Sequence, residues 1–306
     1  MPTVDIVIPL YNKSHVVDRT VRSVLSQDFT DWRLTIVDDG STDGWAFHYA
    51  DSRIVSVRTE NRGPGAARNT GLERATAPFV AFLDADDEWR DGFLASAVHI
   101  LQTQPVAGVA FGWFRCVPGQ PPELDVRHDV DTLRPRGVNH DPRRFKIDID
   151  SCASSAVVAQ TDVVRKLGGY YDESRCTYGE DAYFVAQLLA TCEVAFIAKP
   201  LLNIHFDAGT LGGNRQSAYP LPPLVFASSS IAQPLPTEDR IRFEGYRQWY
   251  AGWVARRALY QHAWGVAAKA FMATRPLRSP RPLAWAEAAL GGALDLAVRI
   301  YRAVRL

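Results

Sequence analysis

The chain has 306 residues, 47% of them hydrophobic and 22% charged, which describes a globular protein with room for one large domain and an appendage. Thirty-four Lys and Arg balance 34 Asp and Glu, so no global electrostatic case for a nucleic-acid partner exists. The four cysteines show no C-x-x-C spacing, which argues against a zinc cage or a disulfide framework and predicts reduced thiols.

The first residues, MPTVDIVIPLYN, lack a basic segment followed by an apolar one, and no run of about 18 uncharged apolar residues occurs. Neither a signal peptide nor a spanning helix is therefore predicted, and a cytoplasmic location is expected. Residues 4–9 (VDIVIP) read as a buried strand. A helix follows, with Val17, Val21, Val24 and Leu25 on one face. Strands are predicted at 34–37, ending in the polar turn DDGSTDG, and at 54–57. A helix over 65–76 opens after Gly63-Pro64-Gly65. A fourth strand covers 79–83 and ends in Asp84; a helix over 92–102 and a strand over 106–114 follow. Strands alternating with helices predict an α/β fold with a doubly wound, mostly parallel sheet, whose ligand crevice lies off the carboxyl ends of the strands. Tyr11-Asn12, Asp38-Asp39 and the acidic run from Asp84 to Asp87 all fall at such ends.

Residues 116–146 are rich in Pro, Arg and Asp without periodicity and read as a long loop. A strand is predicted at 152–158, a short helix at 162–167, a Gly168-Gly169 turn, a helix at 180–190 and a strand at 194–197. Residues 207–237 read as loop or linker. From about Arg240 the chain turns helical. Residues 238–306 hold twelve basic and five acidic groups, leaving the remainder equally negative. In the last helix Leu283, Ala286, Leu290, Ala293, Ala297, Tyr301 and Val304 share a face, which suits docking on the catalytic domain or lying in a membrane surface.

Five clusters carry candidate chemistry. Asp84 and Asp86, two apart past an apolar strand, suit a hard divalent ion such as Mg²⁺ or Mn²⁺ or simply a solvated acidic turn. Asp38-Asp39-Gly40-Ser41 offers carboxylates to a base or ribose, or a cap and turn. Residues 61–69 (NRGPGAARN) combine glycines that let the backbone approach a ligand with a helix N-terminus and Arg68. Glu180 and Asp181 open a helix, where carboxylates suit the dipole or supply a general base. His205 follows a strand and is structural or a third metal ligand.

In this order and spacing the clusters resemble the large inverting glycosyltransferase family usually numbered 2, which has the GT-A fold. The resemblance runs from Val4 to about His205, and it implies roles residue by residue. Pro9 and Tyr11 match the strand end that frames the nucleotide base, Asp39 the contact to the base imide, and Arg68 the basic residue near the nucleotide. Asp84 matches the ribose or metal-side carboxylate, and Asp86 the metal ligand. The segment LGGYYDE from Leu167 matches the family's turn before the base, with an extra Tyr. Asp181 matches the catalytic base with Glu180 beside it. His205 stands where many members place a metal-contacting His, although Asn203-Ile204 replaces the usual Tyr-Arg.

The resemblance implies a GT-A catalytic domain over 1–210, with nucleotide-binding (1–115) and acceptor-binding (116–210) parts. A linker over 211–237 and a basic helical C-terminal extension over 238–306 complete the expected layout. The implied activity is Mn²⁺- or Mg²⁺-dependent transfer of a sugar, with inversion, from a nucleotide-diphosphate donor (a UDP-sugar first) to an acceptor hydroxyl in bacterial polysaccharide or glycolipid assembly. A saccharide or lipid-linked saccharide is the expected acceptor, with peripheral contact to an anionic membrane through the basic tail. A nucleotide-sugar-binding module without activity and a sugar nucleotidyltransferase are the rival readings; the latter usually opens with a Gly-rich loop where this chain has PLYNKS.

Overall fold

The computed structural model describes residues 1–125, 131–207, 220–227, 229–261 and 263–273. The predicted last helix, with its apolar face from Leu283 to Val304, lies outside these residues. In chain order the elements are β1 (Val4–Leu10), α1 (Val17–Leu25), β2 (Trp32–Asp38), β3 (Ile54–Arg58), α2 (Pro64–Arg74), β4 (Phe79–Phe82), β5 (Glu88–Trp89) and α3 (Phe93–Thr103). Then come β6 (Gly108–Cys116), β7 (Glu123–Asp125), β8 (Thr132–Arg134), α4 (Pro142–Ser151), β9 (Val157–Gln160), α5 (Thr161–Lys166), α6 (Glu180–Thr191) and β10 (Val194–His205). Four helices follow: α7 (Pro223–Phe226), α8 (Ser229–Ala232), α9 (Thr237–Tyr260) and α10 (Trp264–Ala273).

The strands form one mixed sheet in the order β3-β2-β1-β4-β9-β6-β10-β5, with β7 beside β6 and β8 beside β10. β1 pairs in parallel with β2 and β4, β2 with β3, and β6 with β10. β9 is antiparallel to both β4 and β6, so β4 and β6 point the same way. Six strands therefore end on one edge, and that edge collects Tyr11, Asp39, Asp84 and His205. The expected α/β sheet is present, with the antiparallel β9 inserted at its centre.

Strand β1 is buried on both faces, as its largely apolar run predicts, and its one charged residue, Asp5, is paired with Arg33. Val4, Ile6 and Ile8 pack with Val17, Val21 and Val24 of α1 and with Phe93 and Leu94 of α3. Val7 faces the other layer, with Ala67 and Leu72 of α2 and Phe184 and Leu188 of α6. Leu25, expected on the buried face of α1, is 41% exposed, because the helix ends there.

The described residues of the stretch 116–146 hold more regular structure than their sequence suggests. They hold β7, β8 and the start of α4, and three-residue strands offer too few positions for alternation to show. The start of α4 carries a readable signal: Asp141 accepts from the Arg143 amide at 2.9 Å, with Pro142 in the first turn. The strand expected at 152–158 begins only at Val157, after a 3₁₀ turn over Ser154–Ala156. β10 runs to His205 through an irregularity in its pairing at Pro200, where an earlier end was expected. Helix α9 buries Phe243 and Tyr246 in the α2–α6 layer, with the Tyr246 ring edge-on to Phe145 at 4.9 Å. Among the described residues no helix is long and apolar enough to cross a membrane.

Gly71 marks the tightest helix–sheet approach. A Cβ there would stand 2.3 Å from Val7 Cγ1 and 3.0 Å from Val7 Cβ. Alanine gains about 1 kcal/mol of helix propensity, but overpacking a closed core costs about 1–3 kcal/mol. Gly71→Ala is expected to lower the urea midpoint with an unchanged slope; a raised midpoint contradicts this packing.

Candidate active site

The ends of β1 and β2 are clipped together. Asn12 adopts a left-handed φ of +51°, which asparagine tolerates better than most residues. Its amide donates to Ser41 Oγ at 3.1 Å, and its Oδ1 accepts from the Thr42 amide at 2.7 Å. Pro9 stands in β1 opposite Val37, and Tyr11 follows with its ring on the rim, 44% exposed. Asp38 accepts from the Ser41 amide at 2.8 Å and from Arg58. Asp39 is buried, and its two oxygens accept from the Arg62 and Gly63 amides at 2.9 and 2.8 Å. It thus fixes the loop that leads into α2.

The glycines of that loop serve the protein itself, which corrects the expectation that they open room for a ligand. A Cβ on Gly63 would lie 2.6 Å from the Cys176 carbonyl oxygen, and one on Gly65 would lie 2.2 Å from that of Tyr171. Only glycine lets the segment before α6 pack this closely. Asn69 completes the attachment: its amide donates to Tyr170 O at 2.8 Å, and its Oδ1 accepts from the Tyr170 amide at 2.9 Å.

Arg68 then joins the two acidic motifs. Its Nη2 donates to Asp84 Oδ1 at 2.6 Å and its Nη1 to Glu180 Oε1 at 2.9 Å, while the guanidinium lies 4.9 Å from the centre of the Tyr170 ring. Burial works against its charge, and the two carboxylates outweigh that effect and keep it protonated. Glu180 is buried. Desolvation, then the Asp181 charge, push its pKa up to about 7 against the pull of Arg68. Asp181 is also raised, by desolvation first, with Arg68 opposing and Asp84 adding. The Ala182 amide donates to its Oδ1 at 2.7 Å.

The acidic turn after β4 is held from several sides. Thr20 Oγ1 stands 2.8 Å from both Ala85 O and Asp87 O, and Arg19 Nη2 donates to Asp86 O at 2.8 Å. Ser155 Oγ accepts from the Asp84 amide at 3.0 Å and donates to Asp87 Oδ2 at 2.6 Å. Asp86 meets Lys13 Nζ at 2.7 Å. Desolvation raises the Asp86 pKa; Lys13 lowers it and Asp84 raises it again. His205 sits on Glu88, with 3.1 Å between Nε2 and Oε2, and its amide donates to Asp87 Oδ1 at 3.3 Å.

The structure thus brings Asp84, Glu180 and Arg68 into direct contact, with Asp86 and Asp181 each beside one member of that group. Asp39 stays on the loop, and His205 is engaged by Glu88. No sequence pattern marks Lys13, Arg19 or Ser155 for the site, and Asp87 is marked only as part of the acidic run. Asp87 had a signal as the third acid of DADD, and Ser155 had none, since its 3₁₀ turn falls inside a predicted strand.

The donor set fits a hard divalent ion. Asp84 keeps its side chain 36% exposed with one oxygen beyond Arg68, so the turn still presents a carboxylate oxygen of the kind a hard divalent ion takes. Among the described residues no group of three or more His, Cys, Asp or Glu side chains could hold a metal ion on protein ligands alone.

The model of the family described as Glycosyl transferase family 2 matches residues 5–159, just over half of the chain. The chain belongs to glycosyl transferase family 2. Among relatives of this family 2 chain, the Escherichia coli UDP-Glc:alpha-D-GlcNAc-diphosphoundecaprenol beta-1,3-glucosyltransferase WfgD is 41% identical over 90 residues, which are 28% of this chain and 36% of WfgD. The Campylobacter jejuni GalNAc(5)-diNAcBac-PP-undecaprenol beta-1,3-glucosyltransferase is 32% identical over 106 residues, 32% of this chain and 34% of that protein. The chain spans less than half the length of the curated relatives it matches. S. aureus TarS 1–349, solved in complex with UDP, superposes with a TM-score of 0.55 at 15% identity, covering 90% of this chain and 89% of TarS 1–349; the likeness is one of fold.

The Glu180–Asp181 pair yields a pH prediction. Below about pH 7 Glu180 carries a proton, and above it the pair is fully charged. Carboxyl-carbon NMR is expected to show one transition near pH 7 that Glu180→Gln removes. If every Asp and Glu carboxyl titrates at its ordinary position, burial of this pair is contradicted.

Proposed function

We propose that this family 2 chain transfers a sugar from a nucleotide-diphosphate donor to an acceptor hydroxyl, with inversion and with the help of a divalent metal. One observation carries the reading: Arg68 holds Asp84 and Glu180 on its two arms, so the acidic turn after β4 and the start of α6 meet at one edge of the sheet. A sugar diphosphate needs such a pairing, with carboxylates for a cation at one end and a base at the other.

Asp84 and Asp86 would hold Mn²⁺ or Mg²⁺, which supplies charge neutralisation to the departing diphosphate. Asp181 takes the acceptor proton as the hydroxyl oxygen adds to the anomeric carbon and the bond to the diphosphate breaks on the opposite side. Its raised pKa favours proton uptake. Glu180, bound by Arg68, positions the start of α6. Exposed Tyr11 offers a ring for the base beside the β2 loop.

The UDP complex of the TarS neighbour and the UDP-Glc named for WfgD favour a UDP-sugar donor. The diphosphoundecaprenol-linked substrates named for WfgD and the Campylobacter relative favour a lipid-linked saccharide acceptor at the cytoplasmic face of the membrane. The basic tail is the proposed peripheral membrane contact. Some of its charge is used internally, since Arg247 donates to Val225 O and Ala273 O at 3.1 and 3.0 Å, and Arg242 pairs with Glu238 and Asp239.

Asp181→Asn is expected to lower transfer by about 10²–10⁴-fold while UDP binding, followed by calorimetry, stays within a few fold. Asp86→Ala is expected to abolish the metal-dependent part of that binding. Equal loss of binding and transfer in Asp181→Asn, or unchanged Mn²⁺-dependent binding in Asp86→Ala, contradicts the assigned roles.

A further inference from the structure

Lys13 has no part in the scheme above, yet its ammonium stands where a metal would bind. Lys13 Nζ lies 2.7 Å from Asp86 Oδ2, and the two side chains are 19% and 11% exposed. The backbones on both sides are pinned. Lys13 O accepts from the Val16 and Val17 amides at 3.1 and 3.0 Å, and Asn12 is clipped to the β2 loop. The turn carrying Asp86 is held by Arg19 and Thr20.

A divalent ion that takes Asp86 Oδ2 displaces the ammonium, and one that takes Oδ1 stands close beside it, because both belong to one carboxylate on a held turn. With no other anion bound, the ammonium and the metal would then repel each other at short range in a partly desolvated cleft. A nucleoside diphosphate brings the negative charge that removes this penalty. We infer that the Lys13 ammonium is a built-in counter-ion that holds Asp86 against free divalent metal, so that metal and nucleoside diphosphate bind together. Lys13 acts here as a positioning residue, through Asp86. The inference rests on the proposed role of Asp86 as a metal ligand.

The test is calorimetric titration of the whole chain with Mn²⁺, with and without saturating UDP. Wild type is expected to bind Mn²⁺ weakly alone and much more tightly with UDP. Lys13→Gln is expected to tighten binding of Mn²⁺ alone by about tenfold or more, the scale of one short-range charge pair in a half-buried site, and to shrink the enhancement by UDP correspondingly. Lys13→Arg keeps the charge and is expected to stay near wild type, and Asp86→Asn added to Lys13→Gln is expected to erase the gain. Matching circular dichroism and urea midpoints establish that the variants are folded. Equal affinity for Mn²⁺ alone in wild type and Lys13→Gln, with Mn²⁺-dependent UDP binding intact in both, overturns the inference and leaves Asp86 as a ligand. Absence of any Mn²⁺-dependent UDP binding in wild type overturns the inference and the metal reading together.

Discussion

The guanidinium of Arg68 is charged and 4% exposed, which is costly unless both of its arms are matched. Asp84 and Glu180 match them, and they come from segments 16 and 112 residues away along the chain. Each partner is constrained in turn. Asp84 sits on a turn tied through Ser155, and Glu180 opens a helix whose preceding segment presses on Gly63 and Gly65. Removing one member of such a triad leaves an unpaired buried charge, at a cost of about 3–5 kcal/mol. The spacing between the acidic turn and the start of α6 is therefore set in part by this ion pair.

The same contact makes the electrostatics of the site uneven. Burial pushes Glu180 and Asp181 up, helped by the Asp181 charge on Glu180 and the Asp84 charge on Asp181, and Arg68 pulls both down without winning. At the acidic turn burial likewise raises Asp86, with Lys13 opposing and Asp84 adding.

Much of this was legible in the sequence because strong local signals coincide with the sheet. The β-branched run of β1, the apolar stretch before Asp84 and the helix at Glu180 appear close to where they were expected, and the clusters at strand ends meet on one edge as a parallel sheet dictates. What escaped is non-local. β9 was expected among parallel strands and runs antiparallel, which no residue pattern in VVAQ records. Gly63 and Gly65 read as room for a ligand to approach the backbone, and the structure shows that space taken by the carbonyls of Cys176 and Tyr171. Lys13 lies 73 residues from Asp86, so their pairing is invisible until β1 and β4 are adjacent. The contact of His205 with Glu88 across the antiparallel β5–β10 pair is likewise absent from the local pattern.

A crystal structure of the chain with Mn²⁺ and a non-transferable UDP-sugar analogue tests the central claim most directly. The account predicts the diphosphate against the Asp84–Asp86 turn and the anomeric carbon facing Asp181 across the cleft that Arg68 spans. A nucleotide bound on another face of the sheet, or a sugar ring turned away from α6, would contradict it.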